Sequence, residues 1–435
     1  MRKVMECAAR MRQRLEEPRR ILSKVDGLGD LFVRCFLNTL ETTFSMDEEG
    51  GAFVITGDIP AMWLRDSTQQ VLQYVRFAKE DGQLAELLES QIARQMQDII
   101  TDPYANAFNR TANGARGYED WPTPHPRVWE RKYELDSLCH AVLLAWRYFL
   151  ATGKDGFLDG AFFTAMEAAV QVIALEQEHE AKSGYRFQRF HCPPSDTLAR
   201  EGKGTPTAFT GMSWCGFRPS DDACAYGYLV PANLFAAAML EHVAFFARRK
   251  QRLQLEEKAA KLARDIREGV ERHGTVRHPA FGRIYAYEAD GLGHCLLMDD
   301  ANIPSLLSLP YLGAVAQDDP TYLRTRAFVL SRDNPMYFVG KAGRGIGSPH
   351  TPADYIWPIG LCIQAMTTQD ADEIAMLLRM LHTTHGGTGW MHEGFHKDRP
   401  WEFTREWFAW ANSMFGEMVY RLYEQERLAE IVEKI

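Results

Sequence analysis

Residues 230–248 read VPANLFAAAMLEHVAFFAR, and residues 253–273 read LQLEEKAAKLARDIREGVERH. In both, apolar residues recur at spacings of three and four, the period of a helix that buries one face. The second stretch is charged over most of its surface and reads as an outer, solvated helix. Working outward, the same period predicts helices over 28–43, 62–80, 83–102, 134–152, 160–182, 302–315, 320–330, 353–368, 371–385 and 404–424. That makes about a dozen helices, close to six pairs, joined by loops rich in Gly and Pro. Strand signals are few, the best being 52–56 and 283–287. A dozen helices in six hairpins suit an all-α chain folded as an (α/α)6 barrel, two concentric rings in which each helix buries one face against the other ring. An irregular bundle or a solenoid has the same periodicity, but a solenoid would show a repeat of roughly 33–47 residues, and none is evident. No stretch resembles a flexible linker, so residues 1–435 read as one domain.

Composition narrows the function. The 435 residues are 46% hydrophobic and 25% charged, an ordinary globular balance. Net charge is −9 with no basic block, which argues against a nucleic-acid binder. The apolar runs at 140–150 and 229–240 are interrupted by Arg147 and Pro231 and fall short of the roughly 18 residues of a membrane span. The first twenty residues carry Arg2, Lys3, Arg10, Arg12 and Arg14 with no apolar stretch behind them, so they read as a solvated amphipathic helix and not as a secretory signal. Eight cysteines are scattered without metal spacing, which suggests reduced, mostly buried thiols and a cytoplasmic setting.

Six segments place polar and aromatic residues where a solvated loop would not. GDIPAMWLRDS (57–67) reads as a helix start, with Asp58 as cap and Pro60 near the first turn. Trp63, Arg65 and Asp66 would then stand at the mouth of the barrel, where a guanidinium beside a carboxylate suits vicinal hydroxyls; a plain ion pair is the alternative. WERKYELDS (129–137) offers Glu134 and Asp136 as ligand contacts or caps. GFRPSDDA (216–223) carries two adjacent carboxylates, one able to cap a helix and the other free to donate a proton. MDDANIPSLL (298–307) looks like a polar helix start, and GSPHTP (347–352) is a Gly/Pro loop presenting His350, which has no second His or Cys at ligand spacing. MHEGFH (391–396) sets Glu393 between two histidines among aromatics. His392 to His396 matches the zinc-protease spacing HExxH, but the surrounding glycines argue against the helix that motif needs.

In this order, over about 340 residues, the six segments resemble glycoside hydrolase family 125, the exo-α-1,6-mannosidases. The resemblance implies an (α/α)6 barrel that removes terminal α-1,6-linked mannose with inversion and without a metal or other cofactor. An inverting glycosidase needs one carboxylic acid to protonate the leaving oxygen and one carboxylate to activate water, about 6.5–9.5 Å apart. The acid then maps to the Asp221–Asp222 pair, with Asp221 preferred, and the base to Glu393. The acid's pKa should be raised by burial or by a neighbouring carboxylate. His392 or Arg405 could hold Glu393 ionised. Trp63, Arg65, Asp66, Asp222, Asp300, Asn302 and His350 would bind the terminal mannose. The expected substrates are mannose-containing oligosaccharides or N-glycan fragments; no protein partner can be named. The alternatives are another (α/α)6 enzyme, an epimerase or a lyase, and a glycan-binding protein that has lost hydrolysis.

Overall fold

A computed structural model describes residues 2–47 and 50–435. Its helices stand in two rings, the (α/α)6 barrel expected. The inner ring is built from Leu64–Val75, Leu135–Thr152, Val230–Arg249, Pro358–Met366 and Ala409–Glu424. Leu64–Val75 packs on both Leu135–Thr152 and Ala409–Glu424; the former continues to Val230–Arg249 and the latter to Pro358–Met366. Outside them lie Leu28–Asn38, Gly82–Thr101, Gly160–Leu175, Leu253–His273, Pro320–Val329 and Ala371–Thr383. Ring position explains composition. Every residue of Leu64–Val75 is buried, whereas Leu253–His273 buries only a stripe including Leu255, Leu262, Ile266 and Val270. Each fully buried Leu, Ile or Val of that stripe contributes about 1.5–3 kcal/mol.

The apolar run beginning at residue 229 does not stop at Leu240. Val230–Arg249 continues through Val243, Phe246 and Ala247, and is by length and composition apolar enough to cross a membrane. Its most apolar window is 83% buried by the rest of the chain, so its hydrophobicity serves the inner ring.

The sixth inner position departs from expectation. Residues 302–315 form successive turns and not a helix. Pro304 and Pro310 remove two amide donors. The Asp299 carboxylate instead accepts the amides of Leu306 and Leu307, and Ser305 and Ser308 exchange side-chain-to-amide bonds. These turns still close the ring: the Tyr311 hydroxyl donates to Glu417 at 2.9 Å and lies 3.2 Å from the Gln69 side-chain oxygen, and Ala301 packs against Gly360.

Other boundaries shift because helices start where strands end. The segments expected at 62–80, 353–368 and 404–424 become Leu64–Val75, Pro358–Met366 and Ala409–Glu424, since Met62–Trp63, Tyr355–Ile356 and Phe403–Thr404 are strands. The expected strands at 52–56 and 283–287 are the hairpin partners Ala52–Val54 and Gly282–Tyr285. The N-terminal segment is not simply solvated. It forms Arg2–Arg14 and Glu16–Leu22, the first burying Val4, Cys7, Ala8 and Met11 while Arg10 pairs with Asp81 at 2.7 Å. All eight cysteines are unpaired and six are buried.

Candidate active site

The inner helices begin at one end of the barrel, directly behind short strands. Met62–Trp63 pairs with Ala107–Phe108 and through it with Val128–Glu130. Tyr355–Ile356 pairs with Gly394–His396, which pairs with Phe403–Thr404. Backbone pairing at these junctions holds the residues that open each helix. Three of those residues, Trp63, Trp357 and Phe408, are the caps of inner helices, and all three line one cavity at the mouth. Arg65, Asp66, Asp221, Asn302, His350 and Glu393 line it too.

Asp221 sits at the tip of a hairpin in which Phe217 bridges Ala223 and the Arg218 amide donates to the Asp222 carbonyl at 2.8 Å. No helix forms there, so neither carboxylate is a cap. Asp221 has φ +67°, a left-handed conformation that costs a non-glycine residue about 1–3 kcal/mol and persists only when its surroundings impose it. Lys132 Nζ donates to the Asp221 carbonyl at 2.7 Å, and the Ala223 amide donates to the Ser195 carbonyl at 2.7 Å. Arg218 clamps the hairpin to Glu288. The two neighbouring carboxylates consequently part: Asp221 faces the cavity, and Asp222 turns to His350 Nδ1 at 3.3 Å.

Glu393 precedes the strand Gly394–His396, and its amide donates to the Thr404 carbonyl at 3.3 Å. Arg405 Nε lies 3.3 Å from Glu393 Oε1, while its NH1 binds Asp58 at 2.8 Å. Asp58 is therefore an ion-pair partner for Arg405 and not the helix cap expected; the helix opens six residues later at Leu64. Arg405, not His392, supports Glu393. His392 Nδ1 pairs with the Glu406 carbonyl, its ring stacks on Phe403, and burial holds its pKa below the ordinary value. His392 and His396 do not share a helix face, because the chain at His396 is strand.

Charge crowding dominates the other wall. Arg65 NH1 binds Glu134 Oε2 at 2.7 Å and Asp136 Oδ2 at 3.1 Å, with Asp66 and Asp221 each 3.6 Å away. Glu134 and Asp136, open at the sequence level between ligand contact and cap, are the supports of this guanidinium. Four carboxyls around one guanidinium with little water cannot all ionise cheaply. Burial pushes Asp66 up to about 6 and pushes Glu134 up strongly, against the pull of Arg65. The expected rise at Asp221 does not occur. Burial raises it, but Lys132, Arg65 and a hydrogen bond with Glu134 outweigh burial and bring it to about 2. Glu134 is raised where its neighbour Asp221 is lowered, so a proton shared between these two carboxyls favours Glu134. His350 is a cation here. Burial lowers its pKa, but Asp222, Asp221 and Glu393 more than compensate and lift it to about 9.

Asp222 and Asp300 do not line the cavity; they stand behind it. Asp222 orients His350, and Asp300 Oδ1 accepts the Asn302 amide and side-chain nitrogen at 3.2 and 2.9 Å. Five buried polar atoms on lining residues have no hydrogen-bond partner among the described residues: Trp63 Nε1, Arg65 Nε, Trp410 Nε1, Ser220 Oγ and Asp221 Oδ1. Such a wall suits a compact ligand rich in hydroxyls.

The sequence model of the metal-independent alpha-mannosidases, glycoside hydrolase family 125, matches residues 26–420. The chain belongs to this family. It is 40% identical over 436 residues to the "Meiotically up-regulated gene 157 protein" of Schizosaccharomyces pombe, covering 95% of this chain and 86% of that protein. It is 42% identical to a Streptococcus pneumoniae metal-independent alpha mannosidase solved in a non-productive complex with alpha-1,6-mannobiose, at a TM-score of 0.92 over 95% of this chain and 98% of that one. A bacterial glucoamylase complexed with acarbose shares the fold alone, at 13% identity and a TM-score of 0.57 over 93% of this chain and 57% of that one.

Membership in family 125 makes the protein a glycoside hydrolase and sets aside the epimerase and lyase alternatives. The family motifs contain most of the cavity; Trp357, Phe408 and Trp410 lie outside them, and no pattern within them marks Lys132 as the support of Asp221 or Ser220 as a lining residue. One signal was available: an aromatic residue immediately before a helical period recurs at Trp63, Trp357 and Phe408.

Proposed function

We propose that this protein is an exo-acting α-1,6-mannosidase that releases terminal mannose with inversion, Asp221 serving as general acid and Glu393 as general base. The observation that carries this reading is that two carboxylates from distant segments face one small cavity, each beside its own arginine. The alpha-1,6-mannobiose bound by the Streptococcus pneumoniae relative supports the linkage.

In this scheme Glu393 takes a proton from a water molecule, and the water oxygen attacks the anomeric carbon opposite the leaving group. The bond from that carbon to the leaving oxygen breaks, and Asp221 protonates the oxygen as it departs. The proton comes from the Glu134–Asp221 pair, delivered through the member that faces the cavity. Trp63, Arg65, Asp66, Asn302 and His350 hold the mannose, with Asp222 and Asp300 orienting the last two. The substrates are then terminally α-1,6-mannosylated oligosaccharides, including N-glycan fragments, and the buried unpaired thiols support action in the reducing cytoplasm.

Proton NMR of α-1,6-mannobiose hydrolysis tests the reading. β-Mannose should be the first anomer released. Initial release of α-mannose would overturn inversion, and no release of mannose would overturn the linkage.

A further inference from the structure

The far end of the barrel holds a second cavity, lined by several charged side chains, that the proposed hydrolysis does not use. The C-terminal turns of Leu64–Val75, Leu135–Thr152 and Ala409–Glu424, with Tyr311, border an open cavity of about 290 Å³. Three guanidinium groups line it, Arg76, Arg147 and Arg421, against two carboxylates, Glu417 and Glu424. Arg421 binds Glu417 at 2.8 Å, and Arg76 binds Glu424 while lying 3.7 Å from Glu417.

Arg147 is left over. Its NH2 donates to the Tyr311 carbonyl at 2.9 Å, and among the described residues no carboxylate pairs with it. Arg76 Nε is also buried without a partner. Burial raises Glu417, but Arg421, Arg76 and Arg147 outweigh burial and keep its carboxyl below the ordinary range, so the lining carries one uncompensated positive charge. Burial and the neighbouring Arg421 correspondingly hold Arg147 below its usual value. Helix C-termini present carbonyls and by themselves repel anions. Any anion held here depends on the guanidinium groups, which match tetrahedral oxyanions through paired N–H donors.

We propose that this cavity binds a phosphate group, free or as a small monoester, with Arg147 as its principal donor. Phosphate supplies the countercharge this lining lacks, fits the volume, and gives Arg147 a charged partner.

Calorimetric titration of the protein with inorganic phosphate, at constant ionic strength set with chloride, should show one saturable site. Arg147→Met should weaken binding about tenfold or more, the loss expected for a charged hydrogen bond. Parallel titration with glycerol 1-phosphate identifies the source: tighter binding than phosphate assigns the site to a monoester, and weaker binding assigns it to the free ion. Absence of saturable phosphate binding, or equal binding by Arg147→Met, would overturn the proposal. Should that variant fail to fold, wild-type crystals soaked in selenate give an independent answer: an anomalous peak beside Arg147 supports the site, and an empty cavity refutes it.

Discussion

Glu393 and Asp221 differ in what their loss should do. Glu393→Gln keeps shape and hydrogen bonding but cannot take a proton, so turnover of α-1,6-mannobiose should fall about 10²–10⁴-fold with the fold intact. Asp221→Asn should fall as far on that substrate, yet retain far more activity on a dinitrophenyl α-mannoside, whose leaving group needs no proton. Steady-state kinetics on both substrates separates acid from base, and near wild-type turnover by Glu393→Gln removes the assigned base. Glu134 offers a subtler test. Lys132 and Arg65 favour an ionised Asp221, and the proton remains in the pair because burial raises Glu134. In Glu134→Gln the pair no longer exists, so the alkaline limb of the kcat/KM profile should move to lower pH. An unmoved limb would mean that Glu134 only positions Arg65. His350 should titrate near pH 9 by NMR and fall toward 6.5 in Asp222→Asn, because Asp222 supplies its leading favourable contact.

Among the elements, helices with a clean apolar stripe between clear caps were the most legible. The segment expected at 83–102 is observed as Gly82–Thr101, capped by Asp81, whose side chain accepts the Leu84 amide. Over 302–315 the apolar spacing resembles a helix although two prolines break its ladder. What replaces the helix is the Asp299 carboxyl, pushed up to about 8 by burial and bonded to two amides. Asp299→Ala strands both donors and should cost about 1–3 kcal/mol in urea unfolding; a change under a few tenths would show that the turn holds without it. Strands of two or three residues were mostly illegible, since an alternation cannot be read over so short a span. Yet these strands fix where the inner helices begin, and therefore which residues reach the cavity.

For the molecule as a whole, protonation links fold and pH. Asp66 and Asp98 are raised from 3.8 to about 6, Asp299 from 3.8 to about 8, and His350 from 6.5 to about 9. Each binds its proton more tightly folded than unfolded, so each contributes stability that is lost as pH rises through these windows. Glu180, lowered from 4.5 to about 2, and His242, lowered from 6.5 to about 4, act oppositely and lose stability as pH falls. Above about pH 6.5 only Asp299 and His350 of these groups still titrate, and both lose stability as pH rises, so calorimetric Tm should decline from neutral solution toward pH 9. A Tm that climbs from pH 7 to 9 would contradict the assignments.

Helical period, pairing of helices and the motif residues at loop positions are local properties, so the barrel and the approximate membership of its mouth could be read along the chain. Which of two adjacent aspartates faces the cavity could not. Asp221 and Asp222 have the same chemistry, and only the hairpin tip, held by Lys132, Ser195 and Glu288, turns one inward and the other to His350. The crowding of Asp66, Glu134, Asp136 and Asp221 around Arg65 is likewise invisible in sequence, because those residues lie up to 155 positions apart from Asp66 to Asp221. Proton affinity depends on distance and burial, and both are set only when the inner ring closes.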